Sequence, residues 1–441
     1  MGASLSRVGN SVAKDYKFPI WIFAYLLVLS AFSYGGFIEI IQDIAVGSLF
    51  IRPVDVIFFA SALSFGLFLF RRKPSELSKF YVAGVIISAY FAVHYLYTDK
   101  AEVGSVGMIT SVLSFWVLFY VGGSNITLKN IRTLDIIAQL GLLIYFVMYI
   151  NNLIGFSAGH AILMKDEQYM TLRAMVFTRR QGFILQLFAP FALGFNIGAL
   201  LLLKLKRMEK LLRMILMIIF IVSLDISLRG NYLFLFTMTI LTFFFLKNRG
   251  KHYGLYKIVL PSLVGGLLLL LFLNFVGKSI FNIDNLVGTQ FRRVGDIFFA
   301  VKGEDDIYVA LNSRLFYWLE GLQVALRGPA PFLFGKGYLL FPQMSPLFAT
   351  SNPHNFIIES MLVFGSLGFA LLFVFIWLPV LRRAIKLERL LRNNNHGDVL
   401  IFAVFVLLLR FVVGLLVQSA FFERDIMIFF YASCGILFAM K

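Results

Sequence analysis

Charge is scarce in this chain. Asp, Glu, Lys and Arg make up 14% of its 441 residues, where a soluble globular domain carries about 25%. So few charges cannot cover a water-facing surface of this size, which argues against a soluble fold. Acidic residues are the scarcer sign, with 23 Asp and Glu against 40 Lys and Arg and a net charge of +17. Cysteine is nearly absent. Cys434 stands alone inside an apolar run, so no internal disulfide can form, and the residue reads as small packing. No His/Cys cluster with metal-ligand spacing occurs, no glycine-rich phosphate loop, and no nucleophile elbow.

What the chain has instead is apolar length. Hydrophobic residues make up 60% of it, and Phe alone occurs 51 times. A spanning helix needs roughly 20 mostly apolar residues, and in lipid its backbone must satisfy its own hydrogen bonds. The runs are too long and continuous for barrel strands. The expected fold is therefore all-α: a polytopic transmembrane helix bundle forming one integral membrane domain over residues 1–441. Twelve spans are expected, near 18–42, 53–70, 80–97, 105–122, 133–156, 183–203, 213–228, 231–246, 257–277, 353–380, 399–420 and 425–440. Met1–Lys17 is short and polar with no cleavage site after the first run, so that run reads as a retained span.

Basic residues give the orientation. Arg71-Arg72-Lys73, the Lys204–Arg213 cluster, the Lys247–Lys257 cluster and the Arg382–Arg392 cluster all fall on one side if the spans alternate. With the N-terminus, that side holds more than half of the Lys and Arg in far fewer loop residues. The positive-inside rule puts it, and both termini, in the cytoplasm. The positive net charge is thus topogenic, and no nucleic-acid partner is expected; the bilayer is.

Two outside loops are long, Ser157–Gly182 and 278–352. The second carries turn signals at Gly328-Pro329 and Gly335-Lys336-Gly337. Within it, Leu315, Trp318, Leu319, Leu322, Ala325 and Leu326 recur at helical spacing, which predicts an amphipathic helix over Arg314–Arg327.

Chemistry is expected on the outer side, where arginine ought to be rare. Arg173, Arg179, Arg180, Arg229, Arg292, Arg293, Arg314 and Arg327 all fall there. Arg229, in a tight turn between two apolar runs, is either an interfacial side chain snorkelling to headgroups or a fixed cation for phosphate. Arg179 and Arg180, before Gly182, are either surface charges or part of the same anion site. Arg314 opens the loop helix with Tyr317 and Trp318 near it; interface anchoring and substrate binding both fit. Ser351-Asn352-Pro353-His354-Asn355 reads as a helix start. His354 would project from the outer end of that helix, as an interface residue or as a base suited to neutral pH. Glu359 lies one and a half turns deeper, where an ionisable group needs a partner. Arg410 and Asp225 read as interhelical pairs, and His94, His160, His252 and His396 stand without supporting context.

His354-Asn355, followed after nine residues by Gly365-Ser366-Leu367-Gly368, resembles the signature of the bacterial O-antigen polymerase and O-antigen ligase superfamily. Further pieces resemble it in the same order. They are Arg180-Gln181-Gly182, then Ser227-Leu228-Arg229-Gly230 with Leu228 inserted, then Ser313-Arg314, Trp318, Pro331 and Gly335-Lys336-Gly337. Together they cover roughly residues 180–370. The resemblance implies a C-type membrane glycosyltransferase (GT-C-like) with a large periplasmic loop between spans nine and ten. It implies an undecaprenyl-pyrophosphate-linked glycan donor, a glycan acceptor, no cofactor and no metal. It makes Arg180, Arg229 and Arg314 contacts for the pyrophosphate and His354 the base, or orienting group, for the acceptor hydroxyl. Glu359 matches a common acidic position; Arg179, Asn355, Tyr317 and Lys336 complete the expected substrate surface.

Within that family a polymerase moves the growing glycan onto a new lipid-linked repeat, and a ligase moves it onto lipid A-core. Polymerase is the expectation, in the bacterial inner membrane with the site facing the periplasm and a chain-length regulator as a further partner. A glycolipid flippase or transporter is the rival from another class. Against it, flippases usually show repeated halves, and no sequence repeat is visible here.

Overall fold

The computed structural model describes residues 17–34, 44–46, 49–51, 55–70, 77–100, 105–159, 182–223, 260–269, 271–272, 275, 304–349, 353, 355–390, 395–417 and 424–440. They are mostly helical. In chain order come α1 (Trp21–Tyr34), a short antiparallel hairpin of β1 (Ile44–Val46) and β2 (Leu49–Ile51), α2 (Asp55–Phe70), α3 (Leu77–Tyr97), α4 (Ser105–Leu113), α5 (Trp116–Gly122) and α6 (Leu128–Gly159). There follow α7 (Gly182–Leu202), α8 (Arg207–Ser223), α9 (Glu304–Ala325), α10 (Pro329–Phe334) and α11 (Phe341–Met344). The last are α12 (Phe356–Leu372), continued through a π turn (Phe373–Trp377) into α13 (Leu378–Leu390), then α14 (His396–Val417) and α15 (Arg424–Ala439).

Among the described residues, two helical stretches are long and apolar enough to cross a membrane, Leu128–Val147 and Phe356–Lys386. The hairpin qualifies the all-α expectation: three apolar residues on each side pair in register, Ile44 with Ile51 and Val46 with Leu49. The expected fourth span is divided at Ser114-Phe115 into α4 and α5.

Glycine sets the closest helix contacts. In α7, Gly194 and Gly198 lie four apart, one turn along the same face. A Cβ at Gly194 would stand 2.5 Å from the Cα of Ala403 in α14. Small residues at this spacing let the two helix backbones approach closely. Large side chains go the other way. Val82, Val85, Ile86, Val93 and Leu96 of α3 are exposed, and so are Leu260, Leu263, Leu267 and Leu268. A helix in water turns such residues inward.

Polar side chains tie helices at particular ends. Arg213 of α8 grips Asp135 of α6 with both guanidinium nitrogens, Nη1 at 2.8 Å from Oδ1. Nη1 also donates to Asn196 of α7 at 2.9 Å, and Asn196 exchanges amide hydrogen bonds with Gln139 at 3.1 Å each way. Arg383 of α13 donates to the carbonyls of Leu437 and Met440, filling acceptors that the end of α15 leaves open. Lys17 pairs with Asn125 by a backbone bridge.

Candidate functional site

α12 starts cleanly and then breaks. Asn355 is its N-cap, extended at φ −146° and ψ 116°, with Oδ1 accepting from the amides of Ile357 at 3.0 Å and Ile358 at 3.4 Å. Glu359 follows in the first turn and is fully buried; a negative side chain there suits the positive end of the helix dipole. At Gly365 the backbone turns to φ 70° and ψ −179°, which ends regular α geometry inside the apolar run. The expected single span over 353–380 is thus broken at Gly365. Glycine permits it: at this φ and ψ a residue with a Cβ would be strained, and the Cβ would meet the Leu333 carbonyl oxygen at 2.2 Å.

A broken helix leaves carbonyls without their usual partners, and buried carbonyls must be satisfied. The Gly335-Lys336-Gly337 turn does this. The Lys336 amide donates to the Leu362 carbonyl at 2.6 Å and the Gly337 amide to the Val363 carbonyl at 3.1 Å. Tyr90 of α3 supplies the next donor, its hydroxyl 3.2 Å from the Phe364 carbonyl. Gly335 and Gly337 sit at φ 75° and 81°, so three left-handed glycines interlock at one point. The half-buried Lys336 is at the apex of the turn.

The end of α3 clamps the turn from both sides. His94 Nε2 donates to the Phe334 carbonyl at 2.5 Å; a carbonyl only accepts, so the proton is on Nε2. The Tyr338 amide donates to the Asp99 carbonyl at 2.8 Å, and the Tyr338 hydroxyl reaches the Phe91 carbonyl at 3.3 Å. Tyr338 is completely buried among Tyr95, His94 and Phe364, with ring centroids 4.9, 5.5 and 5.7 Å away. Burial pushes its phenol far above the ordinary value, helped by Tyr90 and Tyr95 nearby, so it stays a donor.

The loop helix is fastened to the same region. Trp318 Nε1 donates to the Pro353 carbonyl at 2.7 Å. Glu320, buried, accepts from Ser345 Oγ at 2.7 Å and lies 3.8 Å from the exposed Arg327 guanidinium. Tyr317 is half-buried, its ring 6.5 Å from that of Phe348.

Two separate ties thus reach α12: Trp318 is bonded to Pro353 just before its start, and the Lys336 turn is bonded to Leu362 and Val363 just before Gly365, with the Asn355 cap and Glu359 of the first turn between them. Arg314 is carried by α9, one turn before Trp318. His354, Arg229, Arg179 and Arg180 lie outside the described residues, as do Arg173, Arg292, Arg293 and Asp225. Among the described residues no group of three His, Cys, Asp or Glu is placed to hold a metal ion. His94, given no context by sequence, turns out to be part of the junction. Its partner, Phe334, is 240 residues away, and no local pattern announces that pairing.

Compared with models of known protein families and with curated proteins, the chain matches none.

Proposed function

We propose that this chain is a polymerase of lipid-linked oligosaccharides in the bacterial inner membrane, built as a GT-C-like bundle of about twelve spans. It would transfer a growing glycan from undecaprenyl pyrophosphate to a new lipid-linked repeat on the periplasmic side. One observation carries the reading. Segments that resemble the O-antigen polymerase and ligase superfamily separately in sequence meet in space. The Gly335-Lys336-Gly337 turn is seated in the break of the Gly365-Ser366-Leu367-Gly368 segment, and Trp318 is bonded to Pro353, the residue before His354.

The polar ties support the alternating topology. Asp135–Arg213, Arg383 with Leu437 and Met440, and Lys17–Asn125 each join ends that strict alternation puts in the cytoplasm. His94–Phe334 and Asp99–Tyr338 each join ends that it puts outside. The outward-facing Val and Leu side chains of α3 fit a lipid surround.

In the reaction, the acceptor hydroxyl attacks the anomeric carbon of the donor sugar. His354 takes or orients the hydroxyl proton. The bond from the anomeric carbon to the pyrophosphate oxygen breaks, and polyprenyl pyrophosphate leaves with the electron pair. Arg180, Arg229 and Arg314 hold the charge that develops on it. Lys336 and Arg179 extend the cationic surface, and Glu359 and Asn355 fix the start of the helix that carries His354.

The test is a surface-glycan gel from a deletion strain complemented with wild type, His354→Ala or Arg229→Ala. The expected result for both variants is collapse of the ladder to core plus one repeat. Loss of every repeat from lipid A-core, with polyprenyl-linked polymer accumulating, would identify a ligase. Full ladders from both normally expressed variants would contradict the catalytic reading and favour a transporter.

A further inference from the structure

We infer that His94 is a positioning residue for the proposed transfer, holding the Lys336 turn in the break of α12 by its hydrogen bond to the Phe334 carbonyl. The inference rests on the functional reading above.

Packing alone does not call for histidine here. The ring is 5% exposed and lies among Tyr90, Tyr338 and Phe364, with centroids 5.7, 5.5 and 6.1 Å away. An apolar side chain would fill that space without difficulty. Histidine instead leaves Nδ1 buried with no hydrogen-bond partner among the described residues, which costs stability. What only a donor can supply is the Nε2–H bond to Phe334.

That bond sits at a place with leverage. Phe334 and Tyr338 flank the Gly335-Lys336-Gly337 turn; His94 of α3 holds one, and the carbonyl of Asp99, just past the end of α3, holds the other. The Asp99 anchor is backbone to backbone, so a side-chain change leaves it in place. The His94 anchor is a side chain. Losing it frees the Phe334 side of the turn, loosens the amides of Lys336 and Gly337 from Leu362 and Val363, and so loosens the helix that begins beside His354. His94 itself touches no substrate in this account.

The experiment compares His94→Leu, which fills the space without a donor, with His94→Gln, whose amide N–H stands near the Nε2 position. Each is made in the full-length protein and expressed in the deletion strain. Two readouts are taken: the surface-glycan ladder, and the rate at which maleimide labels Lys336→Cys in isolated membranes. The chain's one native cysteine, Cys434, is buried and contributes little background. His94→Leu is expected to shorten or abolish the ladder and to speed labelling by about fivefold, the shift in a local opening equilibrium when one hydrogen bond is lost. His94→Gln is expected to restore both. A wild-type ladder in His94→Leu, unchanged labelling, or failure of His94→Gln to restore what His94→Leu loses overturns the inference. If His94→Leu does not accumulate, His94→Asn, too short to reach Phe334, replaces it. A parallel His354→Ala strain separates the two claims. If its ladder is full, the transferase reading fails, and labelling alone decides whether His94 seats the turn.

Discussion

Trp318 and Pro353 are joined by a single hydrogen bond of 2.7 Å, indole N–H to carbonyl, and it ties the loop helix to the start of the helix that His354 precedes. Pro353 is buried and Trp318 half-buried, so water competes poorly for either group. The bond joins positions 35 residues apart and sets where α9, with Arg314 one turn earlier, stands relative to Asn355.

Trp318→Phe keeps most of the ring and removes the donor. It should cost about 1 kcal/mol of stability and shorten the glycan ladder more than that loss of folded protein explains. Thermal unfolding in detergent, alongside ladders at matched expression, checks both parts.

Gly365→Ala should be far more damaging than Gly328→Ala. At Gly365 the added Cβ meets the Leu333 carbonyl oxygen at 2.2 Å and must hold φ at 70°. A backbone at φ 70° with ψ −179° is essentially restricted to glycine and costs roughly 1–3 kcal/mol for a residue with a Cβ, and the clash adds to it. At Gly328 the nearest atom to an added Cβ, on Pro331, is 3.8 Å away. Comparing the unfolding temperatures of the two variants in detergent tests this. Equal temperatures would mean that the turn is not seated in the break.

Asp135→Asn should destabilise the bundle by about 1.5–3 kcal/mol, the range for hydrogen bonds to charged groups. Arg213 would keep its charge at a site where each side chain is only 20% exposed and lose its bidentate partner. The exchanged pair, Asp135→Arg with Arg213→Asp, should recover part of that loss, because the coupling belongs to the pair. Thermal unfolding of wild type, Asp135→Arg, Arg213→Asp and the exchanged pair closes the cycle; strict additivity would show that the pair contributes nothing.

Apolar runs and helix starts were legible in the sequence, because each is written locally. Pro353 and Asn355 mark the start of α12, and Asn355 does cap it. The break at Gly365 was not legible. It lies inside a run that reads as continuous helix, and what stabilises it is a turn 26 residues earlier, Lys336 to Leu362 and Gly337 to Val363. The helix expected over Arg314–Arg327 overlaps α9, which begins ten residues earlier, at Glu304, and ends at Ala325. Its faces also differ from simple amphipathic expectation. Gly321, Val324 and Ala325 are buried, with Gly321 against Ile358, while Leu315, Leu319 and Leu326 are exposed. Small residues let the α9 and α12 backbones approach, and the large ones are displaced outward. Gly328-Pro329, a turn by sequence, opens α10 with proline in its first turn. The junction at His94 needed the fold itself, because three distant segments make it.

The most direct test of the transferase account uses purified protein and polyprenyl-pyrophosphate-linked repeat units extracted from the deletion strain, incubated in EDTA. The account predicts glycan of several repeats with release of polyprenyl pyrophosphate from wild type, and neither from His354→Ala. No polymer from folded wild-type protein, or equal polymer from the two, would contradict it.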